Sequence, residues 1–205
     1  MGIYDAIRNA PLRRLLRWWD GTDPPPAGFE GEYLDEVAYA LARAGPGGVA
    51  ALRHFLDAED VPRRRAALTF LAEPHLADEA IQAALMRAYR ATDSSLQTTA
   101  LWGFMHLGYF PLSRAEMEQQ MRHGNERTAA LAMCYLSRAF PSEAVALLRA
   151  GLQSRNPRMR EYACDEVGDR RITVLSAALR PLLHDPDEDV AQAARSNLAF
   201  FRNDD

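Results

Sequence analysis

Apolar positions along the chain recur on a helical rather than an alternating period. The pattern is clearest over residues 172–201. There Leu175, Leu179, Leu182 and Leu183 make one apolar face, an acidic turn HDPDEDV follows, and Val190, Ala194 and Leu198 fall at i, i+4 and i+8 on a second. Asp185 stands where a helix cap is expected, Pro186 suits a first helical turn, and Asp187, Glu188 and Asp189 complement the positive end of a helix dipole. The same stripe recurs upstream as Met159, Ala163, Val167, then Thr128, Ala132, Leu136, then Leu96, Ala100, Phe104, then Arg63, Ala67, Leu71. Its first positions step by 31, 31, 32 and 33 residues, and an alanine holds the middle in all five. A period of this length with a helix–turn–helix unit predicts stacked helical hairpins, and the small central residue lets neighbouring helices approach closely. Thr128 and Arg63 are poor core residues, which leaves the register of those two units open.

Taken in order, the chain predicts helices over residues 3–19, interrupted at Pro11, and over 30–43, where Leu34, Ala38 and Ala42 repeat the stripe. The intervening DGTDPPPAG is a short extended loop, because three prolines remove backbone donors. Gly45-Pro46-Gly47-Gly48 ends the second of these helices. Helical pairs then follow at 48–56 with 62–71, 77–89 with 95–107, 113–123 with 125–138, and 142–153 with 156–167. Ser113 and Glu116 have capping-box spacing, and Gly168 is placed to stop the helix before it. Nothing reads as a strand.

The D-P-D-x-D-V turn between an apolar helix and a V-x-x-x-A-x-x-x-L helix resembles a HEAT repeat, closely over residues 172–201 and more loosely upstream. The resemblance implies an all-α fold, a right-handed alpha-alpha superhelix of about five to six helical hairpins, with the second helix of each pair lining the concave face. One domain, 1–205, is then expected, with 1–46 as a divergent capping unit and 47–205 as five repeats. The first helix, with Ile7, Leu12, Leu15, Leu16 and Trp19 beside Arg13, Arg14 and Arg17, is amphipathic enough to lie on a membrane. Covering the open end of the first repeat is the reading that the stack itself demands.

Composition narrows the function classes. No apolar run approaches the ~20 residues of a membrane span, and the first residues lack the layout of a secretory signal or a myristoylation site, so a cytoplasmic protein is expected. Cys134 and Cys164 are too few for a disulfide framework and read as small buried residues. All 24 basic residues are Arg, which a G+C-rich coding sequence explains, although Arg also offers bidentate contacts that Lys cannot. The net charge of −4 argues against a general nucleic-acid binder. Its distribution is uneven: residues 61–184 hold 16 Arg against 12 acids, while residues 29–60 hold two against seven and residues 185–205 two against six.

No motif for chemistry emerges. Gly45-Pro46-Gly47-Gly48 lacks the flanks of a phosphate loop, there is no H-E-x-x-H or paired-Cys zinc spacing, and the five His are scattered. Asp165, Glu166 and Asp169 near Arg170 and Arg171 read as helix-surface charge pairs. The expectation is therefore a non-catalytic scaffold or adaptor without cofactor or metal. Its partner would be another protein, an acidic peptide or helix. The candidate binding residues on the second helices are Arg64, Arg65, Gln97, Trp102, Arg160 and Arg195, because Arg and Trp commonly anchor interfaces. The alternative is a DNA-binding enzyme resembling the HEAT-like alkylpurine DNA glycosylases, for which Trp102 with Asp93 or Asp165 is the nearest constellation. Shared fold alone does not carry that activity.

Overall fold

The computed structural model of the protein describes residues 3–24 and 33–201. The chain divides into two compact units, Met1–Leu107 and Gly108–Asp205. Every regular element among the described residues is helical. The N-terminal unit comprises α1 (Ile3–Arg8), α2 (Leu12–Trp19), α3 (Tyr33–Arg43), α4 (Pro46–Arg53), α5 (Val61–Leu71), α6 (Glu79–Tyr89) and α7 (Ser94–Leu107). The C-terminal unit comprises α8 (Arg114–His123), α9 (Glu126–Ala139), α10 (Ala144–Leu152), α11 (Pro157–Asp169), the short α12 (Ser176–Leu179) between two 3-10 turns, and α13 (Glu188–Ala199).

Within each unit the second helices of successive hairpins pack side by side: α3 on α5 and α5 on α7, then α9 on α11 and α11 on α13. The first helices cover one side of that layer, α4 and α6 in one unit and α8, α10 and α12 in the other. This is the build of an all-α helical-repeat solenoid. Its keystone is the alanine stripe. Ala67, Ala100, Ala132, Ala163 and Ala194 are all fully buried, as is Ala38 of α3. Leu71, Leu96, Phe104, Leu136, Val167 and Val190 flank them in the core. A larger side chain at any keystone would force neighbouring helices apart, an overpacking cost of about 1–3 kcal/mol. Thr128 is buried and belongs to the stripe, whereas Arg63 is only half-buried and turns its guanidinium to the Trp19 carbonyl and to Asp60.

Helix starts follow local capping chemistry. Asp60, Asp78, Ser113, Asn125 and Asn156 each accept a backbone N–H from the first turn that they precede. Two local expectations are corrected. Asp187, not Asp185, caps α13, accepting from the N–H groups of Asp189 and Val190. Asp185 instead accepts two bonds from Arg160, so Pro186 lies before the helix rather than in its first turn. Gly168 does not end α11, which continues to Asp169. A Cβ at Gly168 would lie 1.8 Å from the Asn197 Oδ1, so the glycine is there for the close approach of α13. Gly48 plays the same part in the other unit: α4 begins at Pro46, and a Cβ at Gly48 would meet the Leu41 carbonyl oxygen at 2.1 Å.

Pro11 does split the first segment into two helices. Leu15, Trp18 and Trp19 of α2 are buried, which turns the apolar face of this basic helix into the unit and not outward. The helix predicted from residue 30 is seen from Tyr33; its first residues and the second part of the triproline loop, together 25–32, lie outside the described residues. No helix among the described residues is long and apolar enough to cross a membrane.

Polar bonds recur at one-repeat separation and clamp neighbouring hairpins. Arg65 meets Asp35 at 2.9 Å and Arg87 meets Asp57 at 2.8 Å. In the other unit Arg114 meets Glu143 at 2.6 Å and Arg158 meets Asp189 at 3.0 Å. Solvent screens these exposed pairs, so each contributes little by itself. Their regularity shows that much of the arginine content serves the stack itself.

Candidate functional site

With the keystone stripes turned into the core, each second helix leaves a flank for other contacts. In the N-terminal unit these flanks are apolar and aromatic. Tyr39, Ala42 and Arg43 of α3 and Phe70 of α5, with Gly45 before α4, Pro46 and Val49 of α4, and Glu73, His75 and Leu76 of the turn after α5, line a groove of about 670 Å³. Phe70 and Glu73 also bound a second recess of about 300 Å³, closed by Thr69, Thr99, Trp102 and His106. The two recesses thus share a wall. Tyr39 and Phe70 meet edge to face at 5.9 Å between centroids, a geometry that favours the pair beyond its buried area. The Arg43 guanidinium lies 4.0 Å from the Tyr39 ring centroid, within cation–π range. Arg8 approaches the same ring at 5.1 Å, but its charge is taken up by Glu36 at 2.9 Å. The one carboxylate among the lining residues, Glu73, sits 3.3 Å from the His106 Nε2.

The corresponding flank of the C-terminal unit is a polar network. Glu166 of α11 is buried and accepts from Arg138 at 2.6 and 2.8 Å and from Arg170 at 3.3 Å. Arg170 also donates to the Ser137 hydroxyl at 3.0 Å, tying α11 back to α9. Beside it, Asn197 donates to Asp165 at 2.8 Å and to the Ala193 carbonyl at 2.9 Å. Burial, seconded by the neighbouring carboxylates of Glu161, Asp169 and Glu166, pushes the Asp165 carboxyl above the ordinary aspartate range, and the Asn197 bond only partly offsets it. Cys134 and Cys164 are free and buried. Burial raises both thiols, Cys164 to about 12, so neither is a thiolate nucleophile at neutral pH.

Of the six residues singled out from sequence, Arg64, Arg65, Gln97 and Trp102 lie in the N-terminal unit and Arg160 and Arg195 in the C-terminal one. Trp102 is 42% exposed and lines the aromatic recess. Arg65 is engaged by Asp35, and Gln97 donates to the Ala91 carbonyl at 2.7 Å. Arg160 is held by Asp185, whose carboxyl the guanidinium keeps below the usual range, and it also donates to the Ser154 carbonyl. Arg64 is half-buried, and its Nε finds no acceptor among the described residues. Arg195 is exposed on α13 and donates to Gln192. Asp93, offered as a catalytic acid, caps α7 and is held below the usual range first by the Ser95 hydroxyl. It precedes Trp102 by nine residues along that helix, a rise of ~13 Å. Asp165 belongs to the other unit. Among the described residues no group of three or more His, Cys, Asp or Glu is close enough to hold a metal ion.

Sequence reasoning missed Tyr39, Arg43, Phe70 and the histidines at 75 and 106. A signal for the aromatics was present: Tyr39, Phe70 and Trp102 are 31 and 32 residues apart, one per hairpin at the repeat spacing.

No family model matches the chain, and no curated protein does. Among solved structures, the X-ray structure of YIBA of Escherichia coli, a structural genomics target, superimposes with a TM-score of 0.59 at 14% identity, covering 99% of this chain and 75% of that one. At this identity the likeness speaks for the fold alone, and it agrees with the helical-repeat architecture described above. A designed armadillo repeat protein overlaps at a TM-score of 0.44 and 12% identity, covering 91% of this chain and 99% of the design. That overlap is too loose to bear on function.

Proposed function

We propose that the protein is a non-catalytic interaction scaffold of the HEAT type, which binds another protein along the concave face formed by its second helices. The observation that carries this reading is the pair of adjoining recesses in the N-terminal unit, where Tyr39, Phe70 and Trp102 of three successive second helices meet the start of α4 and the turn after α5. Rigid aromatic side chains are the commonest interface anchors because they bury large area at small entropy cost. The cytoplasm is the compartment in which we place this scaffold.

The test is affinity capture with the full chain from a native lysate, compared with a Tyr39→Ala, Trp102→Ala double variant. Recovery of one protein in stoichiometric amount by the parent chain, and its loss with the variant, is the expected result. Equal recovery with both chains, or only background with both, overturns the reading.

A further inference from the structure

The groove has a chemical bias that identifies its occupant more narrowly, and the inference rests on the scaffold reading. Its walls are apolar: Tyr39, Val49, Phe70 and Leu76 on one side of the shared boundary and Trp102 with the Phe70 ring on the other. Its charged and titratable groups are Arg43, Glu73, His75 and His106. Glu73 and His106 face one another at 3.3 Å. Arg43 differs from several arginines of its unit that are spent on ion pairs. Arg8 is paired with Glu36, Arg53 with Asp78, Arg63 with Asp60 and Arg65 with Asp35. Arg43 has no carboxylate partner among the described residues, and it is held against Tyr39 at the groove wall. Stacking restrains the guanidinium while its N–H fork stays available, which is the arrangement that recognises a carboxylate in bidentate fashion.

We infer that this groove binds a protein segment in which an apolar or aromatic side chain stands beside an aspartate or glutamate. The apolar group enters between Tyr39, Phe70 and Leu76, and the carboxylate pairs with Arg43. A basic segment is disfavoured because it meets an unneutralised guanidinium, with Glu73 already engaged. A nucleic-acid backbone is disfavoured because a phosphate chain needs a run of cations, and the groove supplies one Arg among apolar walls. The two adjoining recesses together exceed one side chain in size, so the segment contributes a second apolar residue against Trp102.

The probe is a library of random short peptides displayed on phage and selected on the purified full chain. It is followed by fluorescence anisotropy with a labelled peptide from the enriched set. Enriched peptides are expected to carry an aromatic or aliphatic residue next to an acid. Replacing that acid by its amide, Arg43→Glu in the protein, and Trp102→Ala are each expected to weaken binding about tenfold or more, whereas Arg149→Glu on α10 leaves it unchanged. All the substituted positions are exposed, so circular dichroism should report an unaltered fold. Enrichment of basic peptides, insensitivity to Arg43→Glu, or no enrichment at all overturns the assignment. If no peptide is enriched while a stoichiometric protein is still captured through Tyr39 and Trp102, the carboxylate assignment falls and the scaffold reading stands.

Discussion

The two units share a repeat and differ at the same register of it. Three residues beyond the keystone alanine, the N-terminal unit has Phe70, whereas the C-terminal unit has Glu166 and Asn197. Two residues beyond it, Trp102 in one unit answers Asp165 in the other. Phe70 and Trp102 line open recesses, whereas Asp165, Glu166 and Asn197 are bonded to the chain itself. The keystone stripe sets the spacing of the helices and tolerates little change, so variation is confined to the flank. A flank whose polar groups satisfy one another stiffens the stack and has little left to offer a ligand. A flank that presents an aromatic wall and an uncommitted guanidinium keeps its capacity to bind one.

That contrast breaks most decisively at Glu166. Glu166→Ala leaves Arg138 and Arg170 facing a void, and loss of one partner of a buried ion pair costs several kcal/mol. Both arginines keep 28% of their side-chain surface, which lowers the expected loss to about 3 kcal/mol, read as a shift of the urea midpoint. Gly168→Ala comes next. Its Cβ collides with the buried Asn197 amide and should cost about 2 kcal/mol by overpacking, while Gly168 variants leave peptide binding by the other unit intact if the two flanks are independent.

Asp165→Asn should act in the opposite direction and more weakly. The folded chain holds the Asp165 proton more tightly than the unfolded chain, because burial disfavours the carboxylate. The stabilisation that this group provides is present below the unfolded pKa and is lost as pH rises through the folded one. The amide oxygen introduced by the substitution can still accept the Asn197 bond, so the variant should be more stable than the parent at pH ~7 and lose that advantage toward pH ~4. Paired denaturation curves at the two values check it, and a destabilised variant at neutral pH would show that the network needs the charge. Trp102→Ala should cost less than the changes at Glu166 and Gly168: with the side chain 42% exposed, its effect on stability should stay within about 1 kcal/mol, although it removes a binding wall. A larger loss would mean that the aromatic flank is structural, as the polar one is.

Much of the fold can be read from the chain alone. The alanine stripe, the helix pairs and the burial of both cysteines follow from local period and composition, because a helix must bury one face and a close crossing needs a small residue there. The site was less legible. Arg65, Arg160 and Gln97 look available along a helix and are engaged by Asp35, Asp185 and the Ala91 carbonyl. Two of these partners lie about one repeat away in sequence and become neighbours only when hairpins stack. Arg43, by contrast, is unremarkable in sequence, and its value lies in what fails to pair with it.

An all-α chain of hairpins with an alanine at each crossing is written into the order of residues, because helical period, capping residues and side-chain volume act within a few residues of one another. Three outcomes needed the packed molecule. Gly168 serves a crossing rather than a helix end, Asp187 caps where Asp185 is taken by Arg160, and the aromatic residues of three hairpins line two adjoining recesses. Each depends on which groups from different repeats come within bonding distance, and that distance is set by the packing of whole helices rather than by any residue's immediate neighbours.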